Sequence, residues 1–203
     1  MIDFETTGLS PAMGDRVTEV AALRIVGGRV TERYVSLINC GARIPSFITA
    51  LTGISQDMVD NAPPVSRVIP DLLDFIGSDV LSAHNASFDE KFLKAESERL
   101  GLATAHAGLV CSLKLSRRIF PGMPSYKLGQ LSGQLGIRFR SAAHRAESDA
   151  EVAAEVLSHI GSHLGATYRL ASVEPQLLVS VNELAAAKVP AYLHKYAREN
   201  TLP

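Results

Sequence analysis

The chain has 203 residues, of which 46% are hydrophobic, and its formal net charge is −1. This length fits one domain or one domain with a short appendage, and the apolar content allows a sizeable core. No apolar run is long enough to cross a membrane, and the Asp that follows Met1-Ile2 argues against a secretory signal. We therefore expect a cytoplasmic protein with no membrane partner, in which Cys40 and Cys111 are reduced, buried thiols.

Charge is unevenly distributed along the chain. Between Arg99 and Ala146 there is no Asp or Glu, and the basic residues of this stretch are Arg99, Lys114, Arg117, Arg118, Lys127, Arg138, Arg140 and Arg145. Such a basic block favours an anionic partner such as a phosphate backbone. A solvated basic face explains the charge equally well, so charge alone leaves both interpretations open.

The predicted elements begin with strands and continue with alternating helices and strands. After an opening strand, residues 16–26 and 29–38 are β-prone and flank the turn signal Gly27-Gly28. Apolar spacing and breaker residues then predict helices at 45–52, 55–61, 65–77, 86–100, 112–120, 128–135 and 146–164, with short strands at 80–84 and 109–111. This order predicts an α/β fold, a mixed β-sheet flanked by α-helices.

Two carboxylates occupy alternate positions in the opening stretch, MIDFETTGLS. In a strand, Asp3 and Glu5 would share one face, with Ile2 and Phe4 on the other. Carboxylates this close repel each other unless a cation lies between them, and Mg²⁺ prefers such hard oxygen ligands. The small residues that follow, Thr6-Thr7-Gly8, predict a turn whose backbone N–H groups can face an anionic ligand. An exposed edge strand with scattered acids is the structural alternative.

A second cluster of polar residues lies in AHNASFDEKFL, where a strand leads into a helix. The helix macrodipole by itself favours an acid such as Asp89 in the first turn, and Asn85 or Ser87 is a candidate N-cap. However, His84, Asn85, Phe88 and Asp89 together are more than a cap requires.

The third cluster, AHRAESDAEVAAEVL, contains His144 and Asp149. On one continuous helix these residues would point about 140° apart, so they can face one site only if His144 precedes the helix on a loop. Four carboxylates and one histidine in this order match a two-metal phosphoryl-transfer site. A histidine can accept a proton from water near neutral pH.

Together, IDFETTGL, AHNASFDEKFL and HRAESDA resemble the three exonuclease motifs of the histidine branch of the DEDD superfamily, whose members include the epsilon proofreading subunit of bacterial DNA polymerase III. The resemblance covers about residues 1–165 and implies a ribonuclease-H-like exonuclease domain there. Residues 166–203 would then be a C-terminal helical extension or tail. The resemblance implies that two divalent cations, Mg²⁺ or Mn²⁺, are held by Asp3, Glu5, Asp89 and Asp149.

The same resemblance assigns further roles in catalysis and substrate binding. His144 would be the general base, and Glu5 would be a catalytic residue as well as a metal ligand. The backbone after Glu5 would hold the 3′ end of the terminal nucleotide, and other residues would contact its base and sugar. The implied substrate contacts are Thr6, Thr7, Leu9, Leu51, Thr52, Asn85 and Phe88.

The activity implied is 3′→5′ hydrolysis of the terminal phosphodiester of DNA, at a single-stranded or frayed 3′ end, with release of nucleoside 5′-monophosphates in proofreading or repair. A DNA polymerase is a candidate protein partner. Oligoribonucleases of this superfamily typically have Met where Thr6 stands, which favours DNA over RNA. An RNA-trimming 3′→5′ exoribonuclease and a catalytically weak nucleic-acid-binding subunit remain as alternatives.

Overall fold

The computed structural model of the chain describes residues 1–138 and 144–200. In this part, the strands are β1 (Ile2–Thr6), β2 (Val17–Val26), β3 (Arg29–Leu37), β4 (Leu81–Ala83) and β5 (Leu109–Cys111). The α-helices are α1 (Ser46–Thr52), α2 (Gln56–Asp60), α3 (Val65–Ile76), α4 (Ser87–Arg99), α5 (Ser112–Ile119), α6 (Leu128–Gln134), α7 (Ala146–Tyr168), α8 (Pro175–Glu183) and α9 (Val189–Asn200). The predicted elements are present with small shifts at their ends.

Strands β1, β2 and β3 form an antiparallel sheet in that order, and β4 and β5 form a parallel pair. Strand β1 also contacts β4, so the two small sheets lie side by side. The β2–β3 hairpin turns at Gly27 and Gly28, whose φ values of 57° and 76° are left-handed. Glycine adopts such values without steric cost, which explains the Gly-Gly pair at this turn. The α/β class predicted from the sequence is confirmed.

Strand β2 is buried on both of its faces. Val20 and Ala22 belong to the core that packs under α3 and α4, whereas Ala21 and Leu23 pack against alanines of α7. A strand that is covered on both sides has a nearly continuous run of apolar residues in its sequence, as β2 has. Because the residues on the α7 side are small, the helix approaches the sheet closely and its first turns lie next to β1 and β2.

The C-terminal helices pack onto the rest of the protein. Leu177 and Val181 of α8 and Leu193 of α9 share an apolar cluster with α5, α6 and α7. The side-chain oxygen of Asn182 accepts a hydrogen bond from the N–H of Cys111 at 3.1 Å, which ties α8 to the end of β5. The domain boundary predicted at residue 165 falls inside α7. None of the described helices is both long enough and apolar enough to cross a membrane.

Candidate active site

Two acids of β1 and one acid of α7 converge at the site. Along β1, Ile2, Phe4 and Thr6 are buried while Asp3 and Glu5 are partly exposed, as the alternation predicts. One carboxylate oxygen from each of Asp3, Glu5 and Asp149 can be chosen so that all three lie within 4.8 Å of one another. Two distant parts of the sequence therefore supply a single acid cluster.

Asp89 lies beside this cluster in the first turn of α4. Its Oδ1 accepts a hydrogen bond from the backbone N–H of Phe4 at 3.2 Å, so it is fixed to the strand that carries Asp3 and Glu5. Asp89 is not a member of the three-residue group, but its charge contributes to the raised pKa of Asp3. The fourth predicted ligand is therefore adjacent to the other three.

All four carboxyl groups have raised pKa values. Burial, followed by repulsion from Asp89, Glu5 and Asp149, raises the pKa of Asp3 well above its usual range. Burial, then the charges of Asp149 and Glu19, raises the pKa of Glu5 to about 8. Burial raises the pKa of Asp89 to about 7 and that of Asp149 above its ordinary value. Crowded acids of this kind are stabilised when positive charge is placed among them.

The residues present fit a divalent cation. Oδ1 of Asp149 is buried and has no hydrogen-bond partner within the described part of the chain. A buried carboxylate oxygen without a partner is costly unless a cation or a donor satisfies it. The ligand set consists only of carboxylate oxygens, which suits Mg²⁺ or Mn²⁺ better than softer metals.

His144 precedes α7, which begins at Ala146, so the predicted loop position is confirmed. The residue is exposed and has a φ of 63°, which is uncommon for a residue other than glycine. Its backbone hydrogen-bonds to the Asp149 carboxylate, and that interaction lowers the pKa of Asp149 against the effect of burial. The histidine thus lies directly beside the acid cluster, with its side chain accessible to solvent.

The two threonines after Glu5 are part of a tight turn. Thr6 donates its hydroxyl hydrogen to the carbonyl of Gly8 at 2.6 Å, and the Thr7 hydroxyl accepts from the N–H of Arg16 at 2.9 Å. The N–H of Thr7 itself donates to the carbonyl of Arg16 at 2.8 Å. The N–H of Thr7 is therefore already used within the fold, and the contact of the backbone at Thr6 and Thr7 with the nucleotide stays a prediction.

The predicted base contacts separate into exposed and buried residues. Leu9 is 78% exposed and Leu51 is 52% exposed, so both present apolar side chains to solvent. Thr52, by contrast, is buried; its hydroxyl donates to the carbonyl of Ile48 and accepts from the N–H of Ile54. The Thr52 side chain therefore closes the end of α1, and the contact of this residue with the substrate stays a prediction.

Asn85 and Phe88 lie where β4 leads into α4. Asn85 is exposed with a φ of 72°, and the N-cap of α4 is Ala86 with no side-chain cap, so neither predicted N-cap is correct. The Phe88 ring packs on Phe92 with 5.0 Å between centroids. Nζ of Lys91 lies 4.9 Å from the Phe88 centroid and donates to the carbonyl of Leu9, which links Phe88 to the turn after β1.

Two buried glutamates near the site were not predicted as functional. Glu19 is 2% exposed and forms a bidentate ion pair with Arg145. Glu96 has no exposed surface and accepts hydrogen bonds from Arg16 and Arg99. The signal for Glu19 was an acid within the apolar run of β2, because buried carboxylates require partners. Glu96 offered no such signal, since acids are ordinary on a helix surface.

The basic block is only partly neutralised. Arg99 and Arg145 pair with the buried glutamates, and Arg118 donates to backbone carbonyls of Lys114 and Leu184. Arg140 lies outside the described residues. No carboxylate of residues 1–138 or 144–200 forms an ion pair with the remaining members, Lys114, Arg117, Lys127 and Arg138.

Comparison with known sequences places the chain among exonucleases. Residues 1–157 match the family RNase_T, described as Exonuclease. The chain is 41% identical over 150 residues to the 3'-5' exonuclease DinG of Bacillus subtilis, covering 74% of this chain and 16% of that protein. It is 33% identical over 150 residues to DNA polymerase III subunit epsilon of Aquifex aeolicus, covering 74% and 73%. Among the first curated relatives, the chain spans 10% to 24% of their lengths.

Solved structures show the same fold. Exonuclease X, in complex with 5' overhanging duplex DNA, superimposes with a TM-score of 0.69 at 25% identity, over 89% of this chain and 97% of that one. The nuclease domain of 3'hExo, described as a DEDDh family member, superimposes with a TM-score of 0.68 at 20% identity, over 78% of this chain and 88% of that one. The family match, the fold and the three motifs agree: the chain belongs to the exonuclease family.

Proposed function

We propose that the chain is a metal-dependent 3′→5′ exonuclease that removes nucleotides from a DNA 3′ end, in proofreading or repair. The observation that supports this most strongly is the convergence of carboxylate oxygens of Asp3, Glu5 and Asp149, together with a buried Oδ1 of Asp149 that has no hydrogen-bond partner within the described residues. The relatives named 3'-5' exonuclease and DNA polymerase III subunit epsilon support the direction of digestion and the choice of DNA.

In this proposal the acid cluster holds two divalent cations, Mg²⁺ or Mn²⁺. Asp3, Glu5 and Asp149, whose carboxylate oxygens can lie within 4.8 Å of one another, would hold these cations together with Asp89, which lies beside them. Bound cations supply positive charge that offsets the charge of the phosphate and lowers the pKa of water. The crowding of the acids, which raises their pKa values in the protein alone, matches a site built for positive charge.

His144 accepts the proton from the attacking water. The water oxygen forms a bond to the terminal phosphorus, its proton passes to an imidazole nitrogen, and the bond from phosphorus to the 3′ oxygen breaks. That oxygen takes a proton from solvent and becomes the new 3′ hydroxyl, while the terminal nucleotide leaves as a nucleoside 5′-monophosphate. An exposed imidazole suits this role because its ring nitrogen can reach a water molecule at the site and accept its proton.

The residues around the acid cluster position the DNA end. Leu9 and Leu51 offer exposed apolar side chains for the last base, and Asn85 and Phe88 flank its sugar. The turn at Thr6 and Thr7 shapes this position through its internal hydrogen bonds. Lys114, Arg117, Lys127 and Arg138, which pair with no carboxylate in the described part of the chain, are suited to hold the phosphates of the preceding nucleotides.

The test is digestion of a 5′-labelled, single-stranded DNA oligonucleotide with Mg²⁺ or Mn²⁺. We expect products that shorten by one nucleotide at a time from the 3′ end, with nucleoside 5′-monophosphates released. Asp149→Asn and His144→Ala should abolish digestion, whereas Glu98→Gln, which changes an exposed acid on α4, should not. Undiminished activity in both site variants, or fragments shortened from the 5′ end, contradicts the proposal.

The two alternatives make different predictions in the same assay. Faster digestion of an RNA oligonucleotide of equal sequence indicates an RNA-trimming enzyme. Tight DNA binding without metal-dependent turnover indicates a binding subunit with weak catalysis. For the protein partner, we propose a DNA polymerase, as the polymerase names of several relatives suggest. Size-exclusion chromatography with the replicative polymerase of the source organism tests that partner, and separate elution of the two proteins contradicts it.

A further inference from the structure

We propose that Glu19 is a positioning residue. Through Arg145 and the first N–H of α7, it fixes the start of that helix and thereby the placement of His144 and Asp149 relative to β1. The kinetic consequences of this inference rest on the proposed function, whereas its consequences for cation binding do not.

The contacts of Glu19 point toward α7. Its Oε2 accepts from Nε of Arg145 at 3.0 Å and from the backbone N–H of Ala146 at 2.9 Å, while its Oε1 accepts from the second guanidinium arm. Both oxygens are therefore used, and Glu19 is not one of the three acids whose oxygens lie together. It is thus a buried acid beside the site that serves as an anchor and not as a further ligand.

Glu19 is tied equally closely to the acids of β1. It is the direct antiparallel partner of Glu5 in the β1–β2 register. Paired residues in an antiparallel sheet project their side chains to the same face. One glutamate of β2 therefore links the position of Glu5 to the beginning of α7.

The anchored residue, Arg145, lies between the two groups that must be placed. His144 is its neighbour in the chain, and the N–H of Asp149 donates to the Arg145 carbonyl at 3.0 Å in the first turn of the helix. If Arg145 is held, the general base and the third metal ligand are held with it. The apolar contacts at this end of α7 are made by alanines such as Ala146 and Ala150, which bury little surface.

A second arginine connects the sheet to α7 and provides a matched control. Arg33 of β3 forms ion pairs with two acids in the first turns of the helix, Glu147, which is exposed, and Glu151, which is partly buried. It joins the same two layers as Arg145 but is not anchored to Glu19. Exposed ion pairs of this kind contribute little to stability.

The experiment measures Mn²⁺ binding by electron paramagnetic resonance and the steady-state kinetics of DNA digestion in four proteins. These are the wild type, Arg145→Met, Arg145→Lys and the control Arg33→Met, each checked for native circular dichroism. For Arg145→Met we expect Mn²⁺ binding weakened about 10-fold and kcat lowered about 10- to 100-fold, as is typical when a group that orients metal ligands is lost. KM should change by less than about 3-fold, since the residue does not touch DNA in this proposal.

Arg145→Lys should recover part of the loss, because lysine keeps the charge without the bidentate geometry. The direction of the change in Mn²⁺ affinity distinguishes a positioning role from an effect of charge. Removing the positive charge of Arg145 near the acid cluster would by itself tighten Mn²⁺ binding, whereas loss of positioning weakens it. Arg33→Met should match the wild type in both measurements.

Tighter or unchanged Mn²⁺ binding in Arg145→Met overturns the inference, as does an equal loss in Arg33→Met. If Arg145→Met does not fold, the same outcomes in Arg145→Lys decide the matter. A wild type that binds Mn²⁺ but digests no nucleic acid contradicts the proposed function while the binding comparison still tests the anchor. A wild type that digests DNA, with Arg145 variants that match it, contradicts the anchor alone.

Discussion

Asp89 is hydrogen-bonded to Phe4, the residue that separates Asp3 from Glu5. Its Oδ1 accepts from the backbone N–H of Phe4 at 3.2 Å, so the first turn of α4 is fixed to the middle of β1. Burial raises the pKa of Asp89, and this hydrogen bond lowers it by a smaller amount. The hydrogen bond thus favours the charged carboxylate that a cation requires. Asp89 therefore combines a structural contact to β1 with a position beside the acid cluster.

Replacing Asp89 separates these two roles. In Asp89→Asn the amide oxygen can still accept from the N–H of Phe4, so we expect a thermal midpoint close to that of the wild type. The charge is lost, so Mn²⁺ titration should show one bound ion instead of two, and activity should fall about 100-fold or more. Two bound ions with full activity would contradict the assignment of Asp89 as a ligand.

The acid cluster predicts how pH affects the stability of the metal-free protein. Burial and neighbouring acids raise the pKa of Glu5 from 4.5 to about 8, so the folded state binds this proton more tightly than the unfolded state. Its contribution to the free energy of unfolding is present below about pH 4.5 and is lost as the pH rises toward 8.

The quantity to measure is therefore the difference between wild type and Glu5→Gln. We expect the wild type to lose stability relative to Glu5→Gln between pH 5 and pH 8 in chelator, as followed by urea unfolding. Saturating Mg²⁺ should stabilise the wild type more at pH 8 than at pH 5, since protons compete with the cation. If the difference in unfolding free energy between the two proteins does not change with pH, Glu5 is not buried among other acids as described.

Neighbouring residues of α1 should respond differently to truncation. Leu51→Ala removes an exposed apolar side chain and should raise KM for DNA about 3- to 10-fold without a change in stability. Thr52→Ala removes a buried hydroxyl with two hydrogen bonds and should lower the free energy of unfolding by about 1–2 kcal/mol with KM unchanged. The reverse pattern would indicate that Thr52, and not Leu51, contacts the substrate.

Glu96 should be one of the most sensitive positions for stability. It is fully buried and accepts hydrogen bonds from Arg16 at 2.8 and 2.9 Å and from Arg99 at 3.0 Å. Glu96→Ala leaves two arginines without their partner, and we expect a loss of about 3–5 kcal/mol in urea unfolding. Glu98→Ala breaks only an exposed pair with Lys94 and should cost less than about 1 kcal/mol. Equal effects would show that the buried network contributes no more than a surface pair.

Lys127 is the basic residue whose place in the fold most directly suggests DNA contact. The carbonyl of its neighbour Tyr126 is 2.9 Å from Nε2 of His84, which lies just before Asn85 at the end of β4. Lys127→Ala should weaken DNA binding and reduce the slope of log affinity against log salt by about 1. Lys195→Ala, which removes an exposed lysine of α9 paired with Glu199, should leave the slope unchanged. An unchanged slope in both variants argues against a phosphate contact at Lys127.

Much of the fold and of the acid cluster could be predicted because local spacing determines them. Alternation along β1 places Asp3 and Glu5 on one face and Phe4 in the core. The five-residue separation of His144 and Asp149 requires the histidine to precede the helix. Helices α8 and α9 were harder to predict, because their apolar residues are buried only by packing against α5, α6 and α7.

The sequence by itself thus determined the order of the candidate site residues and the face of β1 on which Asp3 and Glu5 lie. The tertiary structure alone decided which hydrogen bonds and ion pairs their neighbours form. The N–H of Thr7 donates to the carbonyl of Arg16, and Thr52 is buried at the end of α1. Glu19 is paired with Arg145, which is 126 residues away. These partnerships depend on strand register and on how α7 packs against the sheet, and neither is fixed by the periodicity of any short segment.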